Sequence, residues 1–160
     1  MYWKTTYSSP LGELTLVCDD RALRSLILAG QEIPEAGAGE HPILAQTKAW
    51  LDRYFAGEAP DPAELPLEPR GTPFRALVWK LLLEIPQGKT VTYGQLAQKA
   101  AQILGKPRMS AQAVGQAVGA NPIAIVIPCH RVLGADGSLT GYAGGIHYKK
   151  ALLQLEAPEP

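Results

Sequence analysis

Cysteine is scarce: Cys18 and Cys129 are the only two in 160 residues. Two cysteines form one disulfide at most, and no Cys or His pair has the short spacing of a zinc site. Free thiols in a reducing compartment are therefore expected, with no metal. Long apolar runs are missing too. No stretch approaches the roughly 18 apolar residues of a membrane-crossing helix, and the N-terminal "MYWKTTYSS" has no basic segment leading into an apolar one. A soluble, cytoplasmic protein without a membrane partner is expected. Net charge is also absent, since the formal value is zero. That balance argues against a uniformly basic nucleic-acid binder, but the two halves do not share it. Residues 1–72 carry six Lys/Arg against eleven Asp/Glu, and residues 73–160 carry nine against four. A nucleic-acid contact through the C-terminal half would produce such a split, and so would chance spacing of solvated charges.

What is present reads as two modules. "YWKTTY", the turn Ser9-Pro10-Leu11-Gly12, "ELTLVC", Asp19-Asp20 and "ALRSLIL" alternate and turn like a small antiparallel sheet. Ile33 to Gly39 reads as loop. From Pro42 the period becomes helical, with Leu44, Thr47, Leu51, Tyr54 and Phe55 on one face and Gly57 as the stop. Residues 57–71 hold prolines at 60, 62, 66 and 69, a density that predicts an extended connector without helix. The expected division is therefore 1–71 and 72–160. Thr72-Pro73 opens a helix as N-cap and first-turn proline, carrying Phe74, Leu77, Val78, Leu81, Leu82 and Ile85 to Pro86 and Gly88. Thr92 and Gln95 form a capping box for "YGQLAQKAAQIL", "GKPR" breaks that helix, and Ser110 caps "AQAVGQAVGA". Two short helices around a Gly-containing break are a helix-turn-helix pattern. The fold class expected is α+β: a small N-terminal sheet with a helix, then a winged-helix-like C-terminal domain. The second of the paired helices is almost bare of side chains, which permits close approach either of another helix or of nucleic acid. A last helix, "IHYKKALLQLE", places Tyr148, Leu152 and Leu155 on one face with Glu156 adjacent.

The candidate chemistry lies in "IVIPCHRV", residues 125–132. It reads as a buried strand that ends at Pro128 and presents Cys129 beside His130. Cysteine reacts as the thiolate, and an ordinary thiol is only a few per cent ionised at neutral pH unless a base or cation assists. Neighbours along a strand point apart, so a water would have to relay the proton from Cys129 to His130. An acidic group is needed to orient the histidine. The only carboxylates after residue 72 are Glu84, Asp136, Glu156 and Glu159, which makes Glu156 a candidate. Taken alone, the pair also fits a buried cysteine packed as a small hydrophobe beside a structural histidine.

"IPCHRV", with "NP" before it and "GYAGG" after it, resembles the active-site signature of the O6-alkylguanine-DNA alkyltransferases. The likeness runs through "TPFRALVWKLL", "VTYGQLA", "AVGQAVGANP" and "LLQLE". It implies DNA repair in which Cys129 takes the alkyl group of O6-alkylguanine irreversibly, one protein molecule per lesion. The partner would be duplex DNA carrying that lesion, the acceptor a monomer, and no cofactor would be required. The small-residue helix would enter the minor groove, and the damaged base would be flipped into a pocket. Glu156, His130 and a water would accept the thiol proton. Tyr93 matches a tyrosine that assists flipping and donates to the guanine ring, and Asn121, the chain's sole asparagine, matches one that braces the site. Pro128, Val132, Tyr142, Ala143 and Gly144 would line the pocket, in a loop running to Gly145. Ala111 and Gln112 would meet the DNA, with Arg75, Lys106 and Arg108 on phosphates. Arg131 is expected to pair with an acidic group of the first module in preference to the alternative, a contact with DNA. Cys18 is expected to be a strand core residue.

One departure from the family stands out. Its recognition helix usually carries an arginine that fills the gap left by the flipped base, and alignment puts Gln112 there. Glutamine still hydrogen-bonds an orphaned base but brings no charge. Two other readings thus remain: a non-catalytic damage-recognition module, for which Cys129 would be unnecessary, and a helix-turn-helix regulator with an inert Cys129.

Overall fold

The computed structural model describes residues 1–139, 142 and 145–157. It is an α+β structure of two compact units. One comprises Met1–Arg70 together with Pro122–Val126, and the other Gly71–Asn121 with the chain from Ile127 onward.

In the first unit, β1 (Trp3–Ser9), β2 (Gly12–Cys18), β3 (Leu23–Ile27) and β4 (Gly37–Ala38) form a sheet in the order β3-β2-β1-β4. The β1–β2 hairpin pairs Ser9 with Gly12. There the Ser9 hydroxyl donates to Gly12 O at 2.7 Å, and Gly12 takes a φ of 108° that a side chain would resist. The segment expected to be loop, Ile33 to Gly39, contributes β4, which pairs parallel to Trp3 and Lys4. Gly37 N donates to Tyr2 O at 3.0 Å and Gly39 N to Lys4 O at 3.4 Å, tertiary bonds that residue propensity does not report. Helix α1 (Pro42–Phe55) buries Ile43, Leu44, Thr47, Trp50, Leu51 and Tyr54, and Phe55 is only half covered.

The proline-rich stretch is not wholly extended. Pro62–Glu64 form a 3-10 turn, because Asp61 caps Ala63 N at 2.9 Å and Glu64 reaches back to Asp61 N at 3.1 Å. Pro62 sits at the first position of that turn, where no N–H is needed. Beyond it, Leu23 N donates to Pro66 O at 2.7 Å. Further along β3, Leu26 N donates to Pro122 O at 3.0 Å and Ala124 N to Leu26 O at 3.2 Å. Two passing segments therefore occupy the outer edge of β3, which would otherwise invite pairing with another chain. Arg24 is buried in an ion pair with Asp19 and also donates to Glu68 O at 2.7 Å.

In the second unit, α2 (Pro73–Leu83) is capped by Thr72, α3 (Tyr93–Leu104) by the Thr92/Gln95 box, and α4 (Ala111–Gly119) by Ser110. Gly105 ends α3 at a φ of 68°, the left-handed stop a glycine supplies without strain. Strands β5 (Val91–Thr92) and β6 (Val132–Leu133) pair in parallel, and α5 spans Ile146–Glu156. Trp79 is buried and donates through Nε1 to Ala117 O at 2.8 Å, joining α2 to α4. The close approach that small residues allow on α4 is thus used, on its inner face, for helix packing.

Candidate active site

Residues 123–127 are buried, as an apolar run should be, but they are not a strand. Val126 N bonds Ala124 O at 2.8 Å across Ile125, whose φ is 71°. This is the strained form of γ-turn, unusual for a β-branched residue. A second tight turn follows. Cys129 N bonds Ile127 O at 2.8 Å across Pro128, whose φ of −82° and ψ of 63° suit the inverse γ-turn that proline readily adopts. The chain then enters a 3-10 turn, Cys129–Arg131. Alternation along a strand therefore does not govern how Cys129 and His130 are disposed.

Asn121 fixes this turn from outside by donating through Nδ2 to Ile127 O at 2.9 Å. Its side chain also hydrogen-bonds to Cys129, and Tyr142 favours the ionised thiol in the same direction. Cys129 is 7 % exposed. Burial pushes its thiol above the ordinary value, against the downward pull of Asn121, Tyr142 and the charge of Lys149. At rest the sulfur is a thiol, and donors for a thiolate are already in place.

His130 is completely buried. Its Nε2 lies 2.6 Å from Glu156 Oε2, and Arg131 Nε donates to Glu156 Oε1 at 2.7 Å. Burial would raise the Glu156 carboxyl, but the hydrogen bonds from His130 and Arg131, with the Arg131 charge, hold it well down, at about 2. Burial depresses His130, outweighing the upward pull of Glu156, so the imidazole is neutral. An ionised carboxylate only accepts, which places the single ring proton on Nε2 and leaves Nδ1 as a lone pair. Nδ1 is buried and has no hydrogen-bond partner among the described residues. Arg131 also donates to Ile85 O at 2.6 Å. The expected pairing of Arg131 with an acid of the first module is thus replaced by Glu156, which helix α5 delivers to the same turn.

Tyr93, the first residue of α3, is half-buried. A methyl group added at Gly115 of α4 would touch its ring at 3.8 Å, and Lys149 Nζ lies 5.7 Å from the ring centroid. Lys149 is fully buried, and burial lowers its pKa while the nearby Cys129 raises it. Reading the sequence missed this lysine. The available signal was its place on α5, seven residues or two turns before Glu156, which puts both on one face. The face expected there changes accordingly: Tyr148, Lys149, Leu152 and Glu156 are buried, and Leu155 is 38 % exposed.

Pro128 and Val132 are buried beside the cysteine turn. Ala111, Gln112, Arg75, Lys106 and Arg108 are all exposed, on α4, on α2 and in the α3–α4 break. Ala143 and Gly144 lie outside the described residues. Cys18 is buried in β2, and burial together with the charges of Asp19 and Asp20 pushes its thiol up to about 11, so it is inert.

Residues 1–69 match the 6-O-methylguanine DNA methyltransferase ribonuclease-like domain, and residues 73–158 match the DNA binding domain of the same enzyme. A methylated-DNA–protein-cysteine methyltransferase of Methanosarcina acetivorans is 41 % identical, over 98 % of both chains. The enzyme of that name from Mycobacterium tuberculosis is 44 % identical over 94 % of this chain and 90 % of its own. Among solved structures, the M. tuberculosis O6-methylguanine methyltransferase has a TM-score of 0.84 at 41 % identity, covering 100 % of this chain and 97 % of that one. The M. tuberculosis OGT in complex with DNA has a TM-score of 0.80 at 44 % identity, covering 98 % and 95 %. The chain belongs to the 6-O-methylguanine DNA methyltransferase family.

Proposed function

We propose that the protein repairs DNA by moving the alkyl group of O6-alkylguanine onto Cys129. The observation that carries the reading is His130, held through Nε2 by Glu156, with a buried Nδ1 that has no partner among the described residues, next in the chain to a buried cysteine. As Cys129 Sγ attacks, its proton passes through a water to His130 Nδ1. The new S–C bond forms while the C–O6 bond breaks, and the electron pair of the broken bond leaves with guanine, toward which Tyr93 donates. Asn121, Tyr142 and Lys149 stabilise the negative charge that develops on sulfur before the bond is complete. The product thioether has no usable leaving group, so each molecule acts once. The substrate itself supplies electrophile and leaving group, and the reaction calls for no cofactor.

The same reading assigns residues 1–71 to a supporting module and residues 72–160 to DNA binding and alkyl acceptance. Ala111 and Gln112 would lead α4 into the groove, Arg75, Lys106 and Arg108 would hold phosphates, and Pro128, Val132, Tyr142, Ala143 and Gly144 would line the base pocket. No helix among the described residues is long and apolar enough to cross a membrane. The site of action we infer is the cytoplasm, with the protein acting as a monomer. The intact protein mass after incubation with duplex DNA containing O6-methylguanine tests the reaction. A gain of one methylene that Cys129→Ser abolishes is expected, and an unchanged mass would refute it.

A further inference from the structure

Alkyl transfer as described uses Cys129, His130 and Glu156 and gives Arg131 no part. Yet Arg131 is 7 % exposed, and a buried guanidinium needs a reason. Its Nε and NH1 donate to Glu156 Oε1 at 2.7 Å and Ile85 O at 2.6 Å, so the end of α2 and the end of α5 hold it from two sides. The Glu156 carboxylate, 1 % exposed, divides its two oxygens between Arg131 and His130. A buried carboxylate facing a histidine alone would hold a proton between them, because burial penalises the bare negative charge. That proton would occupy the base before the thiol could use it. With Arg131 present the negative charge is already matched, and His130 is left to rest neutral.

We propose that Arg131 is a positioning residue for the alkyl transfer, pairing with Glu156 so that the His130–Glu156 couple holds no excess proton until Cys129 gives one up. The proposal rests on the reading of Cys129 as alkyl acceptor and His130 as its base. Other charges act on His130 in the same direction or are remote from it. Lys149 of α5 also disfavours a second proton on the ring. Cys129 precedes it as a neutral thiol, and the Tyr93 hydroxyl, raised by burial, is uncharged. From the α2 side the contact is the uncharged Ile85 carbonyl, and Glu84 and Lys80 are exposed.

The sign of the effect is fixed. Transfer needs an empty Nδ1, so the rate falls as pH drops through the pKa of the couple. Removing the Arg131 charge raises that pKa and moves the acid limb upward by about one to three pH units. Single-turnover methyl transfer from duplex DNA carrying O6-methylguanine is measured from about pH 5.5 to about pH 9 for wild type, Arg131→Met and Arg131→Lys. The Arg131→Met to wild-type rate ratio is expected to climb about tenfold per pH unit between the two limbs, and Arg131→Lys to keep the wild-type limb. A ratio independent of pH overturns the proposal. Because Arg131→Met strands a buried carboxylate and can fail to fold, nitrogen NMR of the three histidines in the wild type gives a second test. His130 protonated on Nε2 alone at neutral pH is expected, and an imidazolium there overturns the proposal. Absence of methyl transfer in the wild type would instead sink the functional reading, a separate outcome.

Discussion

Replacing Asn121 with alanine removes two contacts at once. The first is the 2.9 Å bond to Ile127 O, a carbonyl on a residue with no exposed surface. That carbonyl keeps its bond from Cys129 N, so the loss is one hydrogen bond, about 0.5–1.5 kcal/mol. In a domain of this size that lowers the melting temperature by about 2–4 °C per kcal/mol, so a fall of about 2–4 °C is expected for a loss of about 1 kcal/mol. The second is the hydrogen bond to the Cys129 side chain. Bonds to charged groups are worth about 1.5–3 kcal/mol, and this one strengthens only as sulfur becomes anionic, so transfer should slow by about 10- to 100-fold. Single-turnover kinetics on an oligonucleotide duplex with one O6-methylguanine, alongside a thermal melt, measure both. A variant that melts normally and transfers within twofold of wild type would refute the view that Asn121 braces the cysteine turn.

Three further outcomes follow from the geometry. Gly115→Ala should keep transfer activity and gain about 0.5–1 kcal/mol in a urea titration, because a methyl there meets the Tyr93 ring at ordinary contact and helix propensity improves; Gly115→Leu should displace Tyr93 and slow transfer. Glu156, held at about 2 against its ordinary 4.5, contributes stability that is complete above about pH 4.5 and lost as pH falls toward 2; chemical denaturation across that window should show a decline that Glu156→Gln, already destabilised by its stranded Arg131, does not share. Gln112→Arg should tighten binding to lesion-bearing duplex or speed transfer, read by titration at fixed salt and by single-turnover rate, with equality in both counting against a DNA-facing role for this position.

Helix starts were legible because caps are local: Thr72, Thr92 and Ser110 each accept the backbone bond their positions foretell. The stretch at 125–127 was misread as a strand because an apolar run reports burial, while two successive γ-turns are chosen by tertiary hydrogen bonds such as that of Asn121. Lys149 was obscured for a related reason, and Arg131 was given the wrong acidic partner. A basic residue in sequence reads as solvated, and only the path of α5 brings carboxylate and thiol near enough to bury one. Pro62 in a 3-10 turn shows the same limit on a smaller scale, since proline forbids helix interiors and not their first positions.

The return of Pro122–Val126 to the edge of β3 bears on how this protein can be handled. Excision of residues 72–160 would carry Ile123, Ala124, Ile125 and Val126 away with no strand to cover them, a naked adhesive run a few residues ahead of the reactive cysteine. Deleting the N-terminal unit is therefore a lesion to the acceptor turn itself, and any truncated reagent made from this chain would need that run rewritten in polar residues first.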